Sequence, residues 1–263
     1  MSFVPGVTTE AAAGRLYVIS GLSLCVLEGP RVPIGPIGPV GADWLFLGHR
    51  AGEPCFARAL TGEPPAGTTP VPLRQLFGAL DDEDFGIAGR ALGLVAWDRD
   101  HRFCGRCGAP AERSATERVR VCTACAHGAY PRLSPAVIVL VERDGKALLA
   151  RNARTRMPFF STLAGFVEVG ETLEDAVLRE IREEAGIELC DVRYFGSQPW
   201  PLTGSLMVGF TARWAAGELV PAPEELAEAG WFGIDELPHL PGKLSIARAL
   251  IDDFIRRHGG TPA

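Results

Sequence analysis

No uninterrupted apolar run approaches the ~20 residues that a membrane helix needs, so no spanning segment is expected. The opening MSFVPGVTTE lacks a basic start and a long apolar stretch, so no secretory signal is expected. The closing GGTPA matches no address signal. A cytoplasmic protein without membrane partners is the expectation. Positive charge is in deficit: 26 Lys and Arg stand against 32 Asp and Glu, a net charge of -6. That balance argues against a broad binder of phosphate backbones, although a local basic patch can survive it. Lysine is nearly missing, with only Lys146 and Lys243, and no function is read from this bias. Evenly spread cysteines are lacking too. Of the 7, four form two tight pairs, while Cys25, Cys55 and Cys190 are scattered. An odd, clustered set points to metal binding in a reducing compartment, not to a disulfide framework.

What is present is ample core material. Apolar residues make up 47% of 263, which excludes a disordered chain and suits one large domain or several small ones. Residues 1–98 read as a β-rich N-terminal domain for scaffolding or dimerisation. Its strands are expected at Arg15–Ile19, Leu22–Leu27, Trp44–Leu47 and Pro54–Arg58, and its helices at Leu73–Leu80 and Phe85–Trp97. Pro30–Gly41 and Gly62–Gly67 read as loops. Residues 99–131 form a small Cys-, Arg- and Gly-rich insert. Residues 132–263 change pattern again. Strands are expected at Ala136–Val141 and Lys146–Ala150 around an Asp144-Gly145 hairpin turn, then at Val192–Gly196, Leu206–Trp214 and Gly230–Phe232. Helices are expected at Leu173–Ala185 and Leu244–Arg257. Strands interleaved with helices in this order predict an α+β or mixed-sheet fold.

Cys104-x-x-Cys107 and Cys122-x-x-Cys125 carry the first chemical signal. Two thiolates spaced this way grip one side of a tetrahedral Zn²⁺, and the second pair closes the other. Four protein ligands leave no open position, so the site is structural. Arg102, Arg106, Arg113, Arg118, Arg120 and Arg132 surround it. They read as a solvated basic surface, because no ladder of aromatic residues accompanies them for stacking bases. His101 and His127 read as solvent-facing.

The second signal is acidic. Thr172 suits an N-cap and Gly186 the end of a helix between them. At 100° per residue, Leu173, Val177 and Ile181 fall about 20°, 60° and 100° from Glu180. Glu184 falls at about 40°, within that apolar stripe, and Glu183 flanks it at about -60°. Several carboxylates on a buried face would neutralise or repel unless a hard cation joined them. Mg²⁺ or Mn²⁺ prefers carboxylate oxygens and takes further ligands from substrate phosphates. The pattern therefore predicts a phosphate-processing metal site. The plainer alternative, a surface helix with Arg179 and Arg182 as pair partners, fits Glu174 better than Glu180 or Glu184.

Gly165, Glu171, Arg179, Glu180, Ile181, Glu183, Glu184, Gly186 and Ile187 fill every specified position of G-x5-E-x7-R-E-U-x-E-E-x-G-U, where U is aliphatic. The segment resembles the Nudix box. Downstream, Ser197-Gln198-Pro199-Trp200-Pro201-Leu202-Thr203-Gly204-Ser205 resembles the SQPWPFPxS signature of the NADH pyrophosphatase and NAD-capped RNA hydrolase branch. Leu202 and Thr203 depart from the signature's Phe and Pro. The loss removes an aromatic surface and loosens the loop.

The resemblance implies a Nudix α/β/α sandwich with a mixed sheet, behind a zinc ribbon and the β-rich domain. It implies divalent-metal-dependent hydrolysis of NAD(H) to AMP and nicotinamide mononucleotide, removal of NAD caps from RNA, and a homodimer. By resemblance, Glu180, Glu183 and Glu184 are catalytic and hold Mg²⁺ or Mn²⁺, with the Ala164 carbonyl and Glu225 as further ligands. Phe166 would stack on the nicotinamide. Gln198 to Ser205, Tyr130, Ala247 and, more weakly, Arg74 would contact substrate. Two alternatives stay open: a hydrolase of another nucleoside diphosphate, such as ADP-ribose or a dinucleoside polyphosphate, and a non-catalytic binding module. The complete set of box acids disfavours the second.

Overall fold

The computed structural model describes residues 2–37, 43–154 and 158–262. The chain divides into two compact units: residues 1–132 with 201–204, and residues 133–200 with 205–263.

In the first unit, seven strands share a sheet: β1 (Phe3–Pro5), β2 (Ala13–Ser20), β3 (Ser23–Leu27), β4 (Ile34–Pro36), β5 (Leu45–Arg50), β6 (Glu53–Ala59) and β7 (Thr68–Pro72). Their order is β1-β5-β6-β2-β3-β7, with β4 beside β2. Helix α1 (Asp82–Asp100) begins where the Asp81 carboxylate accepts the backbone N–H groups of Glu83 and Asp84. It lays Ile87, Ala88, Ala91, Leu92 and Val95 into one core with Tyr17, Leu24, Leu47, Leu73 and Leu76. Two expectations are corrected. The helix expected over Leu73–Leu80 is a single 3₁₀ turn, Leu73–Leu76, because Gly78 takes the left-handed conformation, φ 72°, which no helix continues through. The Pro30–Gly41 loop contains strand β4, paired antiparallel with Ala13–Arg15. It ends on Pro36, a residue tolerated at such a margin but read in sequence as a breaker. The end of that loop lies outside the described residues.

The cysteine insert forms a three-stranded antiparallel sheet of β8 (Ala111–Arg113), β9 (Arg120–Cys122) and β10 (Gly128–Ala129). Charge fastens it to α1. Buried Asp98 receives Arg113 Nε and Nη2, each at 2.6 Å, and Arg120 Nη2 at 2.9 Å. Burial alone would raise the Asp98 pKa, but hydrogen bonds from Arg113 and the two guanidinium charges hold it below the ordinary value. Trp97 Nε1 donates to the Ala129 carbonyl at 3.1 Å. Arg118 donates to the carbonyls of Gly6 and Phe46. The expected basic surface is thus only partly there. Arg113, Arg118 and Arg120 are spent on the unit's own anchoring, while Arg102, Arg106 and Arg132 are exposed. His101 and His127 are half-buried rather than solvent-facing.

In the second unit, β11 (Ser134–Arg143), β12 (Lys146–Asn152), β13 (Leu163–Phe166), β14 (Glu188–Trp200), β15 (Ser205–Ala216) and β16 (Leu226–Phe232) form a mixed sheet, ordered β14-β15-β11-β12-β16. β11 runs parallel to β15 and antiparallel to β12 and β13. β13 takes the first half of one β11 edge, Ala136–Val139, and β12 takes Glu142 and Arg143. β11 is buried on both faces, and its side chains alternate. Val137, Val139 and Val141 pack with α2 (Leu173–Ala185), whereas Ile138 and Leu140 pack with α3 (Ile246–Arg257). The result is a helix–sheet–helix sandwich. No described helix is long and apolar enough to cross a membrane.

Candidate active site

Helix α2 spans the expected residues. The Thr172 hydroxyl oxygen accepts the Asp175 N–H at 3.1 Å, and Gly186 ends the helix. Ala176, Val177, Ile181 and Ala185 face the core, and Glu184 lies with them at 8% exposure. Glu180 is half-buried and Glu183 exposed. Burial follows angular distance from the apolar stripe.

Arg179 organises the acids. Its Nε and Nη2 grip both Glu171 oxygens at 2.6 and 2.9 Å. Nη2 also reaches the Phe166 carbonyl at 2.9 Å, and Nη1 reaches Glu180 and Glu183 at 2.8 and 3.0 Å. This fork pulls the Glu171 pKa down to about 2. The Glu180 carboxylate lies against Gly165 on β13, where an added Cβ would meet it at 1.8 Å. Any side chain there must displace the Glu180 carboxylate.

Glu184 is different. No hydrogen-bond donor reaches its carboxylate among the described residues. Burial, then the charges of Glu180 and Glu225, push its pKa up to about 7. Glu225, just before β16, pairs with Arg154. The loop that leads to it is tied to the end of α2 by the Ala222 N–H donating to the Glu184 carbonyl at 2.8 Å. A buried carboxylate without donors, flanked by two more acids, is the donor set that suits a hard divalent cation. Among the described residues only the four cysteines are already drawn together, with ligand atoms within 4.8 Å of one another. The carboxylates are spread, Glu180 and Glu183 toward Arg179 and Glu225 toward Arg154.

At the cysteine cluster, backbone N–H groups of Ala124 and Cys125 point at Cys122 Sγ, each at 3.4 Å. They lower its pKa and favour the thiolate that a metal requires. Cys104 and Cys122 are buried, Cys107 and Cys125 exposed.

The substrate residues expected from the signature are distributed over both units. In the second, Phe166 ends β13 with 58% exposure, Ala164 sits two residues before it, and Ala247 is buried on α3. Gln198 is engaged at both ends of its amide: its Nε2 donates to the Leu244 carbonyl and its Oε1 accepts the Ile246 N–H, both at 2.7 Å. It holds the start of α3. Pro199 is exposed and Trp200 half-buried. Trp200 pairs with buried Ser205 to close the β14–β15 hairpin. In the first unit, Tyr130 is exposed with its hydroxyl donating to Glu117 at 2.9 Å, and Arg74 is exposed on the 3₁₀ turn. Pro201, Leu202, Thr203 and Gly204 also belong to that unit, where Leu202 packs against the core.

Two organising residues escape a reading for site chemistry. Arg179 is visible in the box but reads there as a plain helix pair. Arg154 carries no signal, since its partner Glu225 is 71 residues away.

Fold and site define a Nudix protein. The NUDIX domain model matches residues 131–254, the NADH pyrophosphatase zinc ribbon model residues 99–130, and the NADH pyrophosphatase-like rudimentary NUDIX model residues 14–97. The chain is 44% identical over 258 residues to the NAD-capped RNA hydrolase NudC of Deinococcus radiodurans, covering 96% of this chain and 92% of that one. It is 47% identical over 219 residues to the protein of the same name from Stutzerimonas stutzeri, covering 82% and 79%. A NUDIX hydrolase structure from Nitrosomonas europaea superposes with a TM-score of 0.49 at 24% identity, over 61% of this chain and 94% of that one. The chain belongs to the NADH pyrophosphatase and NAD-capped RNA hydrolase branch of the Nudix hydrolases.

Proposed function

We propose that this chain hydrolyses the pyrophosphate of NAD(H) to AMP and nicotinamide mononucleotide, and acts on the same bond in NAD-capped RNA. The observation that carries this reading is the complete box helix, with Glu184 buried near its end beside the acids Glu180 and Glu225. Glu180, Glu183, Glu184, Glu225 and the Ala164 carbonyl would hold Mg²⁺ or Mn²⁺. The bound cation supplies neutralisation of charge on the pyrophosphate oxygens. Glu184 is the residue we assign as general base or bridging ligand. Arg179 keeps Glu180 and Glu183 oriented, and exposed Phe166 offers a ring face to a nicotinamide. Zn²⁺ in the ribbon is structural. The free cysteines support a reducing, cytoplasmic setting. The homodimer that the resemblance implies completes this reading.

The test is product chromatography after incubation with NADH and Mn²⁺. Wild type yields AMP and reduced nicotinamide mononucleotide. Glu184→Gln lowers kcat by roughly 10²–10⁴-fold while zinc content is unchanged. Survival of NADH with wild type overturns the substrate, and ADP-ribose and dinucleoside polyphosphates then become the panel to run. Near-native turnover by Glu184→Gln overturns the residue assignment.

A further inference from the structure

The tip of the signature hairpin is built into the N-terminal unit. Residues 201–204 cluster with residues 1–132, although the strands that carry them, β14 and β15, cluster with the rest of the chain. Two contacts explain this membership. Leu202 packs against the core that contains Tyr17, Leu76, Ala88 and Leu92. Pro201 lies over Gly89, a buried residue in the middle of α1, where an added Cβ would stand 2.9 Å from Pro201 Cγ and 3.5 Å from its Cβ. A proline ring cannot swing aside by a rotamer change. Its carbons are bonded back to the main chain, so a side chain at position 89 forces the ring to repucker or the loop's backbone to shift. Glycine is otherwise a poor choice there, since it weakens a helix interior relative to alanine. Helix α1 carries glycine at 86, 89 and 93, and of these only Gly89 would bring a Cβ against a neighbour within 4 Å.

We propose that Gly89 is a positioning residue for the dinucleotide substrate, and that the N-terminal domain is the seat that fixes the substrate loop. This rests on the NAD(H) reading. It reassigns Leu202: in place of an aromatic surface toward substrate, it is the anchor by which the loop tip is held in the first unit.

The experiment compares Gly89→Ala with Gly86→Ala in the full-length, zinc-loaded chain. Both glycines lie on α1, and a Cβ at position 86 meets nothing within 4 Å. Both variants gain the same helix propensity, and only at position 89 does the new Cβ meet Pro201. With NADH, Gly89→Ala raises KM roughly tenfold with kcat little changed, because a displaced loop costs binding geometry and not chemistry. Gly86→Ala leaves both at wild-type values. In a Pro201→Ala background, which removes the ring carbon that the new Cβ would meet, the Gly89→Ala effect on KM collapses. An equal KM in the two single variants overturns the proposal, and so does a Gly89→Ala effect that persists without the ring. Hydrogen exchange of the peptide covering residues 199–206 needs no substrate. It speeds up in Gly89→Ala alone, and unchanged exchange overturns the seat even where NADH proves not to be cleaved.

Discussion

At Gly165 a single hydrogen in place of a methyl decides where a carboxylate sits. A Cβ there would stand 1.8 Å from the Glu180 carboxyl carbon, so Gly165→Ala must expel Glu180 from β13. The main chain stays in an ordinary strand, so the fold tolerates the change. The expected outcome is a Tm close to wild type with turnover reduced by roughly 10-fold or more, read by steady-state kinetics beside a thermal melt. Glu184 makes a second prediction. Its folded pKa, about 7, lies above the 4.5 of an ordinary glutamate. Between those values the folded state binds more protons than the unfolded chain, so the stability contributed at this residue falls as pH rises from 4.5 to about 7 and is flat beyond. Without added divalent cation, Glu184→Gln removes that fall, and its advantage over wild type above pH 7 is on the order of 3 kcal/mol. Denaturant titrations from pH 4 to 8 check it; parallel curves for the two proteins would refute the assignment.

At the scale of elements, α2 was legible in full because cap, stripe and terminator lie within one short segment. The central strand β11 was legible because both of its faces are buried and a dense β-branched run results. Strand β4 and the short 3₁₀ turn were not, since each is decided by a neighbour far away in sequence or by one glycine conformation. The arginines around the ribbon show the same limit. Composition suggests a basic surface, but whether a guanidinium meets water or Asp98 depends on a helix that lies before the ribbon's first cysteine. The site divides likewise: the box acids were visible, and the Arg154 partner of Glu225 was not. The Asp98 junction yields a prediction. Asp98→Ala leaves buried Arg120 without its carboxylate and costs ~3–5 kcal/mol. Asp100→Ala, which breaks only the exposed pair with Arg99, costs ~0–1 kcal/mol. Equal losses in chemical denaturation would show that Asp98 does not hold the ribbon to α1.

For the molecule as a whole, three ribbon arginines are committed internally and three are exposed. Only the exposed ones are available to an RNA backbone. Binding of NAD-capped RNA should therefore show a log–log salt slope of about -2, at roughly 0.7 per neutralised phosphate of a single strand. Six free arginines would give about -4 by the same relation. Affinity for NADH should respond far less, since it offers no transcript. Filter binding over a range of salt concentrations distinguishes these slopes, and a slope near -4 would mean that the anchoring pairs open when RNA binds.

The first unit is not continuous in sequence: it closes over residues 201–204, which follow most of the sandwich's strands in the chain. During synthesis the ribosome completes residues 1–132 well before it delivers that tetrapeptide. At about 5–20 residues per second, the gap lasts several seconds. Through that interval the core of the first unit lacks Leu202, and Gly89 lacks the Pro201 ring. The last piece of the first unit to arrive comes from the middle of the second, so neither matures alone. A ribosome stalled between the two would present the quality-control machinery with a first unit whose core still lacks Leu202.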